Sequence, residues 1–298
     1  TSLSIDQTFK LAVQSFLNDT QITQGFAVDL NPGNGELSQA LVANSALHVI
    51  AIAEDETQVQ AIRQRLDQAG MLGDRISVWH RSPNKTGLPN YCADLVVSGA
   101  GWRGASIDAL QEARRLQRPY GGIVCLDIPS KAKPAIRGAL VGGGSWTHQY
   151  ADPANSLNSG DQIVGGRLTM AWFRDIDIEM PQRHGRGPSP LFESGRLFHQ
   201  GLNGVIAVNA YNGTELWRHS VPGVLQAYDG DELMGVSGTG GNMCVGNDRV
   251  FVRNEDFCEV LDATSGKQLA RFQTQATTNA SRPPWGFLAT DGKRLFGS

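Results

Sequence analysis

Val28-Asp29-Leu30-Asn31-Pro32-Gly33-Asn34-Gly35 is an apolar run closed by a glycine turn, and a helical pattern follows it from Glu36 to Asn44. The run belongs to a buried strand, Gly25-Phe26-Ala27-Val28-Asp29-Leu30. Strand, glycine turn and helix in that order set backbone N–H groups and the positive end of a helix beside a bound nucleotide. The flanking sequence extends the pattern. Ile5, Phe9, Val13, Phe16 and Leu17 recur at helical spacing over residues 5–18. Further strands are expected at Val49–Ala53, Ile76–Trp79, Asp94–Val97 and Gly122–Asp127, with helices over Glu56–Ala69 and Ile107–Leu116. Strands alternating with helices predict an α/β, doubly wound parallel sheet.

Near residue 145 the alternation stops and strand-only patterning takes over. Gly195-Arg196-Leu197-Phe198, Asp248-Arg249-Val250-Phe251 and Lys293-Arg294-Leu295-Phe296 recur after tight turns at Glu193-Ser194-Gly195, Gly246-Asn247-Asp248 and Asp291-Gly292-Lys293. Their spacing of about fifty residues, with β content, predicts propeller blades. Two blades and one strand cannot close a ring of four to eight. The chain therefore reads as the front part of a longer protein. Residues 1–141 form the α/β domain, and residues 142–298 form an all-β domain of two blades and the start of a third. Gly142-Gly143-Gly144-Ser145 reads as a flexible hinge between them.

Charge narrows the partners. Twenty-six Lys and Arg face 29 Asp and Glu, a net charge of −3. Without a basic excess, neither nucleic acid nor an anionic membrane is the expected partner. No run of eighteen apolar residues exists to span a bilayer. The chain begins at Thr1, and its first stretch is not a signal peptide. Cys92, Cys125, Cys244 and Cys258 form no C-x-x-C pair and no zinc spacing, and no metal site is read. They are expected as buried thiols, with a Cys244–Cys258 disulfide as the alternative in an exported protein.

Residues 20–130 resemble the class I S-adenosylmethionine-dependent methyltransferases. The likeness rests on Val28–Gly35, on the strand and helix after it, and on Ala93-Asp94-Leu95-Val96-Val97 before Gly121-Gly122-Ile123-Val124. It implies S-adenosylmethionine as the cofactor, with Asn31, Gly33 and Gly35 approaching it and Asp29 steadying the loop. Asn31 stands where that family places its first loop glycine. Ala53 stands where the family's ribose-binding carboxylate belongs, and Glu54 or Asp55 is the expected substitute. The run His80-Arg81-Ser82-Pro83 offers no acid for the adenine. One lost charge-assisted ribose contact costs about 1.5–3 kcal/mol, roughly ten- to a hundredfold in affinity. Ser98–Gly104 contains no general base, so no catalytic residue is named, and Ser130–Gly144 leaves little room for further strands. His48 and His80 read as surface residues, and Trp79 and Trp102 as packing residues.

Trp146-Thr147-His148-Gln149-Tyr150-Ala151-Asp152-Pro153 and the residues after it resemble the lead-in of pyrroloquinoline-quinone-type propellers, which implies a first blade beginning at Leu168–Phe173. Ala207-Val208-Asn209-Ala210-Tyr211-Asn212-Gly213-Thr214-Glu215-Leu216-Trp217 and Val260–Ala270 resemble that superfamily's blade-closing motif. Asn209 replaces an aspartate in the first copy, and Ala270 replaces the tryptophan in the second. An Asp or Asn before a glycine turn makes a tight hairpin. The tryptophan is expected to pack between blades. Quinone chemistry is not expected. No adjacent cysteine pair exists, and Asp175, Asp177, Glu179 and Asp256 make no calcium pattern. Arg183-His184-Gly185-Arg186-Gly187 reads as a solvated polar loop.

Three readings remain open: a methyltransferase whose propeller recruits a small-molecule or protein substrate, a binding protein whose front domain is a vestigial cap, and a quinone-dependent oxidoreductase. Export to the periplasm is favoured slightly over the cytoplasm.

Overall fold

A computed structural model describes residues 5–99, 106–128, 133–166, 168–175, 178, 188–224, 242–276 and 282–297. The chain divides into two compact units, residues 1–140 and 141–298.

The first unit runs α1 (Gln7–Thr20), β1 (Gln24–Asp29), α2 (Glu36–Ala43), β2 (Ala46–Ala53), α3 (Glu56–Gln68), β3 (Ile76–His80), β4 (Leu95–Gly99), α4 (Ile107–Leu116), β5 (Ile123–Ile128) and β6 (Ala135–Ile136). Its sheet has the order β3-β2-β1-β4-β5-β6. The first five strands are parallel, and the two-residue β6 returns antiparallel on β5. That short return is what the brief stretch after residue 130 has room for. Successive strand residues face opposite sides. On β1, Ala27 packs with Val13 of α1, Leu41 of α2 and Ile62 of α3. Its neighbour Val28 packs with Ala113 and Leu116 of α4. Helices therefore cover both faces, which makes the sheet doubly wound. Three helices start on side-chain caps: Asp6 accepts from the Phe9 N–H, Asp55 from Gln58 and Ser106 from Ala109. The strand order reverses beside β1, between β2 and β4. The crevice outside the strand C-termini at such a reversal is where ligands bind in this architecture.

The second unit is all β. β7 (Leu191–Glu193), β8 (Arg196–Gly201), β9 (Gly204–Asn209) and β10 (Glu215–Ser220) form one antiparallel meander. β11 (Met243–Gly246), β12 (Arg249–Asn254), β13 (Phe257–Asp262) and β14 (Gln268–Gln273) form a second. β15 (Leu288–Thr290) and β16 (Leu295–Gly297) form a two-stranded third sheet. The three Arg-apolar-Phe repeats fall on β8, on β12 and at β16. The first two follow two-residue turns, Ser194-Gly195 and Asn247-Asp248, in which both residues have positive φ. That is the turn whose twist matches the strands it joins. In the β9–β10 and β13–β14 hairpins, Asn209 and Asp262 fold their side chains onto the following N–H groups. Gly213 and Gly266 close those turns at φ 73° and 68°.

A lead-in strap joins the three sheets. Trp146 pairs with Phe192 at the edge of β7, the Thr147 carbonyl accepts from Val245 N–H on β11, and His148 Nε2 accepts from Thr290 N–H on β15. His148 is buried, and burial holds its pKa below the usual histidine value, opposed weakly by Asp152. It therefore serves as a neutral acceptor.

Several expectations are corrected. Leu168–Phe173 enters no strand ladder among the described residues. The glycine run at 142–144 is not a free hinge. Gly144 N–H donates to Asp161, the Gly142 carbonyl accepts from Gln162, and a Cβ on Gly144 would lie 2.4 Å from the Ser159 carbonyl oxygen. Cys244 and Cys258 lie on β11 and β13 with β12 between them, so no disulfide joins them. Burial pushes both thiols up, Cys258 to about 12. Trp79 is 38% exposed rather than packed. Trp102, Asp177, Glu179 and the 183–187 loop lie outside the described residues.

Candidate functional site

The site is the loop between β1 and α2, at the sheet's reversal point. Strand β1 delivers Asp29 to its end with no exposed surface. Asp29 Oδ1 accepts from the Asn31 N–H at 3.2 Å, and Oδ2 accepts from Ser38 Oγ, in the first turns of α2, at 2.9 Å. The carboxyl thus clips the loop to the helix that follows it. Burial raises its pKa to about 7, against the opposing pull of Ser38 and the Asn31 N–H. With both oxygens engaged inside the loop, Asp29 steadies the turn.

Asn31 lies under the loop. Its carbonyl accepts from Gly99 N–H at the end of β4 at 3.2 Å. A Cβ on Gly99 would stand 3.1 Å from that same oxygen, a tight contact that glycine at the end of β4 avoids. The left-handed backbone occurs at Gly33 and Gly35, with φ 56° and 89°, and not at Asn31. The two glycines serve different ends. A Cβ on Gly35 would meet Ile62 of α3 at 3.0 Å. Around Gly33 no atom lies within 4 Å of the Cβ position, so the loop has open space on that side. Asn34 Oδ1 accepts from the Glu36 N–H at 3.1 Å and occupies one of the donors that open α2.

The second half of the crevice lacks what the first half would need. β2 ends at Ala53, which is buried and has no polar side-chain group. Asp55, read as a substitute ribose ligand, is the N-cap of α3, and its Oδ1 accepts from Gln58 N–H at 2.7 Å. Gln58 in turn donates from Nε2 to the Gly33 carbonyl at 2.8 Å. Asp55 thus gives one of its two oxygens to the helix. Glu54 is exposed, and His80 Nε2 lies 2.9 Å from its carbonyl while His80 Nδ1 meets Glu56 at 2.7 Å. Of the six residues named from sequence, Asp29, Asn31, Gly33 and Gly35 make one loop, Asp55 caps a helix, and Glu54 stands in solvent. Ser38 of α2, Gln58 of α3 and Gly99 of β4 hold the loop and were not foreseen. The Asp55-x-x-Gln58 spacing is a capping signal that could have flagged two of the residues concerned.

S-adenosylmethionine fits this crevice in part. The loop has the turn, the helix start and the free space, but the β2 end has no carboxylate to take the sugar hydroxyls. Among the described residues, no three His, Cys, Asp or Glu side chains gather as a metal site. Among the described residues, no helix is long and apolar enough to cross a membrane.

No family model matches the chain. Solved structures similar to it include a Methanococcus maripaludis protein described as an S-adenosyl-L-methionine-dependent methyltransferase, 22% identical with a TM-score of 0.39, over 41% of this chain and 56% of that one. An Aquifex aeolicus SAM-dependent methyltransferase is 18% identical with a TM-score of 0.34, over 43% of this chain and 73% of that one. The quinohemoprotein alcohol dehydrogenase ADH IIB of Pseudomonas putida is 30% identical over 173 residues, 54% of this chain. The match spans 24% of that dehydrogenase.

Proposed function

We propose that the chain is a binding protein: a methyltransferase-like front unit that has lost its grip on S-adenosylmethionine, followed by the first blades of a propeller that takes a small-molecule or protein ligand. The observation that carries this reading is the end of β2. The Ala53 side chain cannot accept a hydrogen bond, and of the two acids after it, Glu54 stands exposed and Asp55 gives one oxygen to a helix cap. Without the sugar contact, affinity falls by roughly ten- to a hundredfold.

The open side of Gly33 favours the other reading, in which the unit still binds S-adenosylmethionine and transfers its methyl group. Calorimetric titration separates the two. The first reading expects no heat with millimolar S-adenosylmethionine, and measurable binding once Ala53→Asp restores the carboxylate. Micromolar binding by the unaltered chain would end it.

A further inference from the structure

The joints between successive sheets of the second unit are built differently. At the first joint, Trp217 of β10 donates from Nε1 to the Ala263 carbonyl of the second sheet at 3.0 Å, and its ring stands where a Cβ on Gly266 would be. The matching place on β14 holds Ala270. The next joint, between β11–β14 and β15–β16, contains a cavity of about 330 Å³. Small-molecule sites run from roughly 300 to 1,000 Å³.

Aromatic rings and cations line this cavity together. The rings are Phe251 of β12, Phe272 of β14 and Trp285. Trp285 is held fast. Its N–H donates to the Glu255 carbonyl at 2.6 Å, its carbonyl accepts from Arg253 Nη1 at 2.9 Å, and a Cβ on Gly297 would run into its ring. Phe251 and Trp285 belong to the apolar cluster that joins the two sheets, so this wall stands before anything binds. Phe272 is 49% exposed. The cations are Arg249 at the start of β12, and Lys293 and Arg294 in the turn before β16. None of these three side chains makes an ion pair or hydrogen bond among the described residues. The acids near them are engaged elsewhere. Asp291 accepts from the Lys293 and Arg294 N–H groups at 2.8 and 2.6 Å, Asp262 folds onto Thr264 and Ser265, and Asp248 faces Arg196 at 3.8 Å. Like charges gathered without counter-ions repel, and a bound acid relieves them. We propose that the cavity binds a small aromatic acid. Its flat ring lies against the three aromatic side chains, and its carboxylate takes charge-assisted hydrogen bonds from Arg249, Lys293 and Arg294. This deepens, and rests on, the reading of the second unit as a ligand-binding propeller.

Calorimetric titration of the chain with terephthalate tests it. The expected result is binding that weakens as salt is added. Terephthalamide keeps the ring and loses the charges, and succinate keeps the charges and loses the ring. Each should bind about tenfold or more weakly than terephthalate. Arg249→Gln and Lys293→Gln should each weaken terephthalate by about tenfold, and Phe272→Ala should weaken it as well. Lys267→Gln removes an exposed cation just ahead of β14 that does not line the cavity, and should change nothing. An unfolding midpoint equal to the parent's shows that each variant folds. No binding of millimolar terephthalate, equal affinity for either companion compound, or an equal loss with Lys267→Gln and Arg249→Gln would each overturn the assignment. Terephthalate binding that none of the cavity variants touches would overturn it too, while leaving the chain a binding protein. Micromolar binding of S-adenosylmethionine ends that broader reading by a separate titration, so the two failures are told apart.

Discussion

Glycine does opposite things in the two units. At Gly33 a positive φ turns the loop and leaves empty space beside it. At Gly213 and Gly266 the same backbone geometry leaves none, because the rings of Trp172 and Trp217 stand where a side chain would be. The first turn is left open on that side. The other two are filled from within. A glycine turn in a sequence therefore does not distinguish a ligand site from a packing joint. What stands over the glycine decides it.

Removing the filler is the strongest way to break this contrast. Trp217→Ala should destabilise the second unit by about 3–5 kcal/mol, the range for emptying a buried aromatic site. Denaturant unfolding followed in that unit measures it. A loss under about 1 kcal/mol would mean the ring does not join the sheets.

Charge gives a second contrast. Asp29 has a pKa of about 7 in the fold, raised by burial, against an ordinary unfolded value near 3.9. The stability it contributes is complete below about pH 4 and is lost as pH rises through 7. His148 has the opposite sign. Its folded pKa is lowered, so its contribution is complete above about pH 6.5 and is lost as pH falls through the folded value. Asp29→Asn should flatten the slope of the first unit between pH 4 and 7, by up to about 4 kcal/mol. His148→Gln should flatten the acid limb of the second unit. Unfolding midpoints across pH, compared with the parent chain, check both, and identical slopes would refute the assignment.

The smallest expected effect sharpens the comparison most. Gly33→Ala meets only backbone strain, about 1–2 kcal/mol. Gly266→Ala meets that strain and a buried indole as well, and should lose clearly more. Equal losses would mean the ring moves aside freely.

Much of this was legible in the sequence, for physical reasons that differ by element. The first unit's alternation of strands and helices, and the Asn209 and Asp262 hairpins, are set by neighbours within a few residues, so local pattern carried them. Asp55 lies at a distance along the chain from β2 that suits a ribose ligand, and the helix N-terminus next to it takes one of its oxygens, a local demand that the distance alone does not reveal. Ser38 went unnoticed because its partner Asp29 is reached only after the loop folds back. Residues 168–173 look like a strand and face a hairpin like one. Their backbone enters no ladder among the described residues, so local pattern carried the strand-like spacing and not a pairing.

The strap at Trp146–His148 sets a timetable for folding. The His148–Thr290 bond joins residues 142 positions apart. Contacts of such long sequence separation form slowly, because loop entropy is lost before they repay it. During synthesis His148 emerges well before Thr290, so the strap must wait for two sheets to arrive before its last acceptor is satisfied.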